Sequence, residues 1–186
     1  MTDQLNIQAE MTPNPNTLKF NINRTLIESG SYDFPSKESA KDSYLASQLF
    51  QVDRVEGVFV GKDFITVTKS FDAEWQSLAA PLIEKIKTIL NSGENLISEK
   101  AKEWAAVSSG NTETEQKIRA ILDNEIRPAV ARDGGDIIFY GYKNGIVTLH
   151  LQGSCSSCPS SIMTLKMGVE NRLKHSIPEI TEVVQI

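Results

Sequence analysis

Apolar positions along the chain recur with two periods, and each switch between them marks a new element. Leu5 to Met11 and Leu18 to Asn23 read as strands on either side of Thr12-Pro13-Asn14-Pro15-Asn16-Thr17. Proline fixes φ and asparagine tolerates turn geometry, so that stretch is a rigid turn, and a plain connection outweighs a recognition loop. After the break at Ser29-Gly30-Ser31, the residues Ala40, Tyr44, Leu45, Leu49 and Phe50 suit a helix over 39–50 with one buried face. Val55 to Val60 and Phe64 to Thr68 form a hairpin around Gly61-Lys62-Asp63. Asp72 then caps a helix from Ala73 to Leu90, whose stripe of Trp75, Leu78, Leu82, Ile86 and Ile89 faces a core. The first ninety residues are therefore expected as β-β-α-β-β-α.

The pattern changes between Asn91-Ser92-Gly93 and Ser108-Ser109-Gly110-Asn111, both breakers. Residues 92–113 read as a linker between domains at 1–91 and 114–186. Ile97, Ala101, Trp104 and Ala105 within it predict a short amphipathic helix, which packs on its own first domain more readily than on a partner.

In the second domain Thr112 and Glu115 have capping-box spacing, and a helix burying Ile118, Ile121, Leu122 and Ile126 follows. Pro128 lacks the amide that the ladder needs and should kink or restart that helix. Asp133-Gly134-Gly135-Asp136 is a turn, and its two acids fall short of an oxygen cage for a hard cation. Asp136 to Tyr142 and Gly145 to Gln152 pair around Lys143-Asn144-Gly145, because Asn-Gly accepts positive φ at both turn positions. Val147, Leu149 and Leu151 share one strand face, with Thr148, His150 and Gln152 on the other. Pro159 opens a helix carrying Ile162, Leu165, Val169 and Leu173, with His175 in its last turn, and Thr181 to Ile186 closes as a strand. The second domain is thus α-β-β-α-β, and the fold class is α+β with two small domains.

Composition adds exclusions. The chain has 186 residues, net charge −5 and 40% hydrophobic residues, ordinary for a globular protein, with no basic footprint for nucleic acid. No apolar run approaches the roughly 20 residues of a membrane span, and the start has neither signal-peptide nor presequence features. A cytoplasmic protein is therefore expected. The first domain carries no cysteine, no histidine and no catalytic constellation.

The two cysteines, Cys155 and Cys158, stand three apart in Gly153-Ser154-Cys155-Ser156-Ser157-Cys158-Pro159-Ser160-Ser161, between a strand and a helix. In a reducing compartment two close thiols serve as ligands or redox groups rather than a staple. Soft thiolates select zinc, copper(I) or iron–sulfur units. Structural zinc and the common clusters take four protein ligands, so one chain supplies half a site, and a two-fold axis would complete it. His150, on the polar strand face, could serve as a third ligand but is better read as a solvated residue. Thiol–disulfide exchange remains open as a rival, as does a zinc-binding adaptor. Against exchange stands the absence of a βαβ context around the C-x-x-C.

Longer motifs carry a resemblance. Ile126-Arg127-Pro128, Arg132-Asp133-Gly134-Gly135-Asp136, Leu151 to Ser161, and Thr164-Leu165-Lys166-Met167-Gly168-Val169-Glu170 resemble the C-terminal NifU domain of Nfu-type iron–sulfur proteins. Thr12 to Phe20, Gly57-Val58-Phe59 and Asp63 to Thr68 are similar to the Nfu N-terminal domain. The resemblance implies a non-enzymatic scaffold or carrier. It would hold a labile [4Fe–4S] cluster, with [2Fe–2S] as the alternative, through Cys155 and Cys158 shared between two chains. Its implied partners are a second copy of itself, apo iron–sulfur clients and upstream cluster assembly proteins, with no nucleic acid and no membrane. Because mitochondrial members carry a presequence, a bacterial cytoplasmic protein is expected ahead of a mature mitochondrial form.

Overall fold

The computed structural model describes residues 4–98, 112–156 and 159–186. The chain divides into two compact units, Met1–Ala106 and Val107–Ile186.

The first unit is a five-stranded antiparallel sheet with helices on one face. Its strands are β1 (Ile7–Met11), β2 (Thr17–Ile22), β3 (Tyr32–Phe34), β4 (Val55–Val60) and β5 (Phe64–Lys69), in the order β1-β2-β5-β4-β3. Helix α1 (Tyr44–Leu49) and helix α2 (Trp75–Asn91) follow β3 and β5. Alternate residues Leu18, Phe20, Ile22, Val58, Val60, Ile65 and Val67 point to the core, where Leu45, Leu49, Leu78, Leu82, Ile86 and Ile89 meet them. Each such side chain contributes roughly 1.5–3 kcal/mol by leaving water, which ties the sheet register to the helix face. The turn between β1 and β2 is knitted from within. Asn14 O accepts from Thr17 N–H at 3.0 Å, Asn14 Oδ1 accepts from Asn16 N–H at 3.0 Å, and Trp75 Nε1–H reaches Pro15 O at 3.0 Å.

Three details differ from the pattern-based expectation. The edge strand β3 is additional; three residues pairing with β4 are too few to show a period. The helix expected over 39–50 is a 3₁₀ turn, Ser39–Asp42, followed by α1, because Ser43 is extended (φ −129°, ψ 116°) and caps α1 by accepting from Ala46 N–H. The Ser43 hydroxyl in turn donates to Leu96 O at 3.0 Å, a tertiary bond that outweighs helix continuity. Asp72 does not cap α2; the N-cap is Glu74, and Asp72 pairs with Arg54 instead.

Within the expected linker, Ile97 is only 2% exposed and lies in the first core, and Leu96 packs against that core. The rest of the expected amphipathic helix, Trp104 included, falls outside the described residues.

In the second unit, helix α3 (Glu113–Ile121) starts at Thr112 with both halves of a capping box. A π-helical turn, Leu122–Ile126, widens the ladder, and α4 (Arg127–Arg132) restarts with Pro128 in its first turn. Strands β6 (Gly135–Lys143) and β7 (Ile146–Gly153) pair antiparallel; α5 (Pro159–Ser176) then leads to β8 (Glu182–Gln185), which pairs parallel to β7. The sheet order β6-β7-β8 makes β7 the central strand. The hairpin turns through Asn144 (φ 51°) and Gly145 (φ 83°), the positive values that its sequence requires. Ile118, Leu122, Val130, Ile137, Phe139, Val147, Leu149, Leu151, Val169 and Leu173 form the core.

Candidate metal centre

The cysteine loop leaves the end of β7, whose last residue, Gly153, pairs with Gly135 at the start of β6. Two bonds from Ser154 fasten the loop to the preceding turn: its N–H donates to Gly134 O at 3.2 Å, and its hydroxyl donates to Asp133 O. Ser156 folds back on Gly153 O through its N–H at 3.2 Å and its hydroxyl at 2.8 Å. Between these fasteners Cys155 turns inward. It is 5% exposed, joins the core cluster, and has Ser154 Oγ 3.8 Å from its Sγ. The floor beneath the thiol is Gly135. A Cβ there would stand 2.8 Å from Cys155 Sγ and 2.6 Å from Gln152 O, so no side chain fits.

Beside that floor lies an ion pair. Arg127, from the first turn of α4, grips Asp136 with two bonds, Nε to Oδ1 at 2.8 Å and Nη2 to Oδ2 at 2.6 Å. Its Nη1 donates to Asp123 Oδ1 at 3.0 Å, and Asp136 Oδ1 also accepts from Ile137 N–H at 2.7 Å. The hydrogen bonds to Asp136, and then the nearness of its charge, hold the Arg127 guanidinium still more firmly protonated than usual, against the opposing effect of burial. Asp136 is buried, so the two-pronged geometry is what keeps its charge tolerable there. Asp136 thus serves a structural pair, in keeping with the reading of Asp133–Asp136 as a turn.

Cys158 lies outside the described residues, as does Ser157. His150 has its Nδ1 2.9 Å from Ile186 O and meets the Tyr140 ring edge-on, centroids 6.2 Å apart. Among the described residues, no group of three or more His, Cys, Asp and Glu side chains could hold a metal ion. Sequence reasoning singled out Cys155 as a candidate but not the Arg127–Asp136 pair. Both members stand in quoted motifs, and an arginine nine residues from an acid, across a Gly-Gly turn, was the available signal.

Residues 7–93 match the family described as scaffold protein Nfu/NifU N terminal, and residues 118–184 match the NifU-like domain. The chain is 45% identical over 181 residues to the mitochondrial NFU1 iron-sulfur cluster scaffold homolog of Homo sapiens, covering 97% of this chain and 71% of that protein. Against the mitochondrial NFU1 homolog of Drosophila ananassae it is 45% identical over 182 residues, 97% of this chain and 64% of that one. A solution structure of a NifU-like protein from Saccharomyces cerevisiae is 30% identical, with a TM-score of 0.47, covering 53% of this chain and 91% of that chain.

These relatives correct one expectation. A bacterial cytoplasmic protein was inferred from a start without presequence features, and the curated relatives at 45% identity are mitochondrial proteins. With both family domains matched in order, and with such relatives aligned along nearly its whole length, the chain belongs to the Nfu family of iron–sulfur cluster scaffold proteins.

Proposed function

We propose that the chain is a carrier that holds a labile [4Fe–4S] cluster between two copies of itself, through Cys155 and Cys158 of each, and passes it to apo-proteins. The ligand count carries this reading. A cluster of this kind takes four cysteine thiolates, the sequence contains two, and among the described residues no group of three or more His, Cys, Asp and Glu side chains could hold a metal ion. A second chain supplies the missing pair under two-fold symmetry. Each chain then contributes half of a permanent site, so the cluster leaves by thiolate exchange onto a client's cysteines. Neither domain needs to unfold, and no catalytic acid or base takes part.

Anaerobic reconstitution tests the proposal. The expected result is about four irons per two chains, with dimerisation that depends on the cluster, as the four-thiolate requirement dictates. A monomer holding zinc tightly would overturn it. Replacing Cys155 or Cys158 by serine should abolish iron binding while circular dichroism stays unchanged; retained iron would refute the ligand assignment.

A further inference from the structure

We propose that the Arg127–Asp136 ion pair is a positioning element for the cluster site: it fixes the turn on which Cys155 is seated, and so sets where that thiol stands. The inference rests on the reading of Cys155 as a cluster ligand. Its physical basis is a short chain of contacts. Arg127 binds Asp136 by two prongs and Asp123 by a third, which locks the start of β6 to the π-helical turn and α4. Asp136 is immediately preceded by Gly135, the floor under Cys155 Sγ. The residues before that, Asp133 and Gly134, present the two carbonyls that hold Ser154. Both Ser154 bonds therefore end within three residues of Asp136.

Geometry also explains why an arginine and an aspartate do this. The segment from Asp133 to Gly135 has no side chain at two of its three positions, so it cannot anchor itself by packing. A bidentate guanidinium–carboxylate pair fixes direction as well as distance, which a lysine or a neutral amide would not. The two side chains grip each other. Their action is indirect, through the turn.

The test uses the full chain without cluster. Cys155 alkylation by iodoacetamide, followed by peptide mass spectrometry, reports how often the buried thiol is freed. In D136N and in R127K the rate should rise about five- to thirtyfold, the population change that follows loss of one or two good hydrogen bonds. The control is R172K. Arg172 forks Glu125 at 2.6 and 2.7 Å, the same chemistry in a more exposed pair, late in α5. That variant should stay within about twofold of the parent, as surface changes do. Equal rises in all three would mean general loosening and would overturn the proposal, as would unchanged alkylation in folded D136N and R127K. If D136N does not fold, R127K, which keeps the charge, decides alone. Reconstituted chain supplies a second readout: the positioning variants should lose iron to a chelator faster than R172K. A parent chain that takes up no cluster would refute the carrier function, while the alkylation result would still decide the positioning role.

Discussion

Alanine at Gly135 should be among the most damaging small substitutions in the second unit, and alanine at Gly141, six residues along the same strand, among the most harmless. The Cβ at 135 would come within 2.6 Å of Gln152 O, a backbone atom next to the Gly135–Gly153 pair in the β6–β7 ladder, and within 2.8 Å of Cys155 Sγ. A carbonyl in a ladder cannot swing aside without breaking its own pairing, so the upper half of the usual overpacking cost applies, about 2–3 kcal/mol. For a unit of this size each kcal/mol moves the midpoint by about 4–8 °C, which places the G135A drop at roughly 8–24 °C. At Gly141 a Cβ meets nothing within 4 Å. There, fewer unfolded conformations should leave the protein unchanged or more stable by up to about 1 kcal/mol. Calorimetry of the two full-length variants, followed at the transition of the second unit, makes the comparison. If G135A melted within about 2 °C of G141A, a difference below half a kcal/mol, the close contact under the cysteine would not constrain the fold.

Two further outcomes follow from other parts of the second unit. Thr112→Ala removes the hydroxyl that accepts from Glu115 N–H at 3.3 Å and donates to Glu115 Oε2 at 2.9 Å, leaving the Thr112 N–H bond to that oxygen at 3.0 Å; a loss of about 1 kcal/mol is expected in thermal melts, largely restored by Thr112→Ser. Glu170 is held below the usual carboxylate range, first by Lys174 and then by Val183 N–H. Its folded value lies below its unfolded one, so its contribution is complete above pH of about 4.3 and disappears as pH falls through the folded value. Melting midpoints of E170Q should therefore converge on those of the parent in acid and fall below them near neutrality; parallel curves would refute the linkage.

How much was legible in the sequence depended on whether a feature was local. The capping box at Thr112 and Glu115, the Asn144–Gly145 hairpin and the buried stripe of Leu78, Leu82, Ile86 and Ile89 each arise from residues a few positions apart, and each stands as expected. The features that could not be read depend on partners far along the chain. Ser43 breaks a helix because Leu96, 53 residues on, takes its hydroxyl. Asp72 abandons a cap for Arg54, 18 residues before it. At the site, the cysteine spacing and the strand before it were visible. The inward turn of Cys155 onto Gly135 was not, since it needs the β6–β7 register to bring residues twenty apart together.

The parallel pairing of β7 and β8 gives the cysteine loop a mechanical character. The loop belongs to a crossover whose two ends return to the same sheet, rather than to a dangling arm. Upstream it is rooted in the middle strand. Downstream, the chain is moored again by β8 along β7 and by Glu170 on Val183 N–H at 3.0 Å. On the carrier reading proposed above, loading and release would then take place on a frame anchored at two strands, with no refolding of the sheet between cycles.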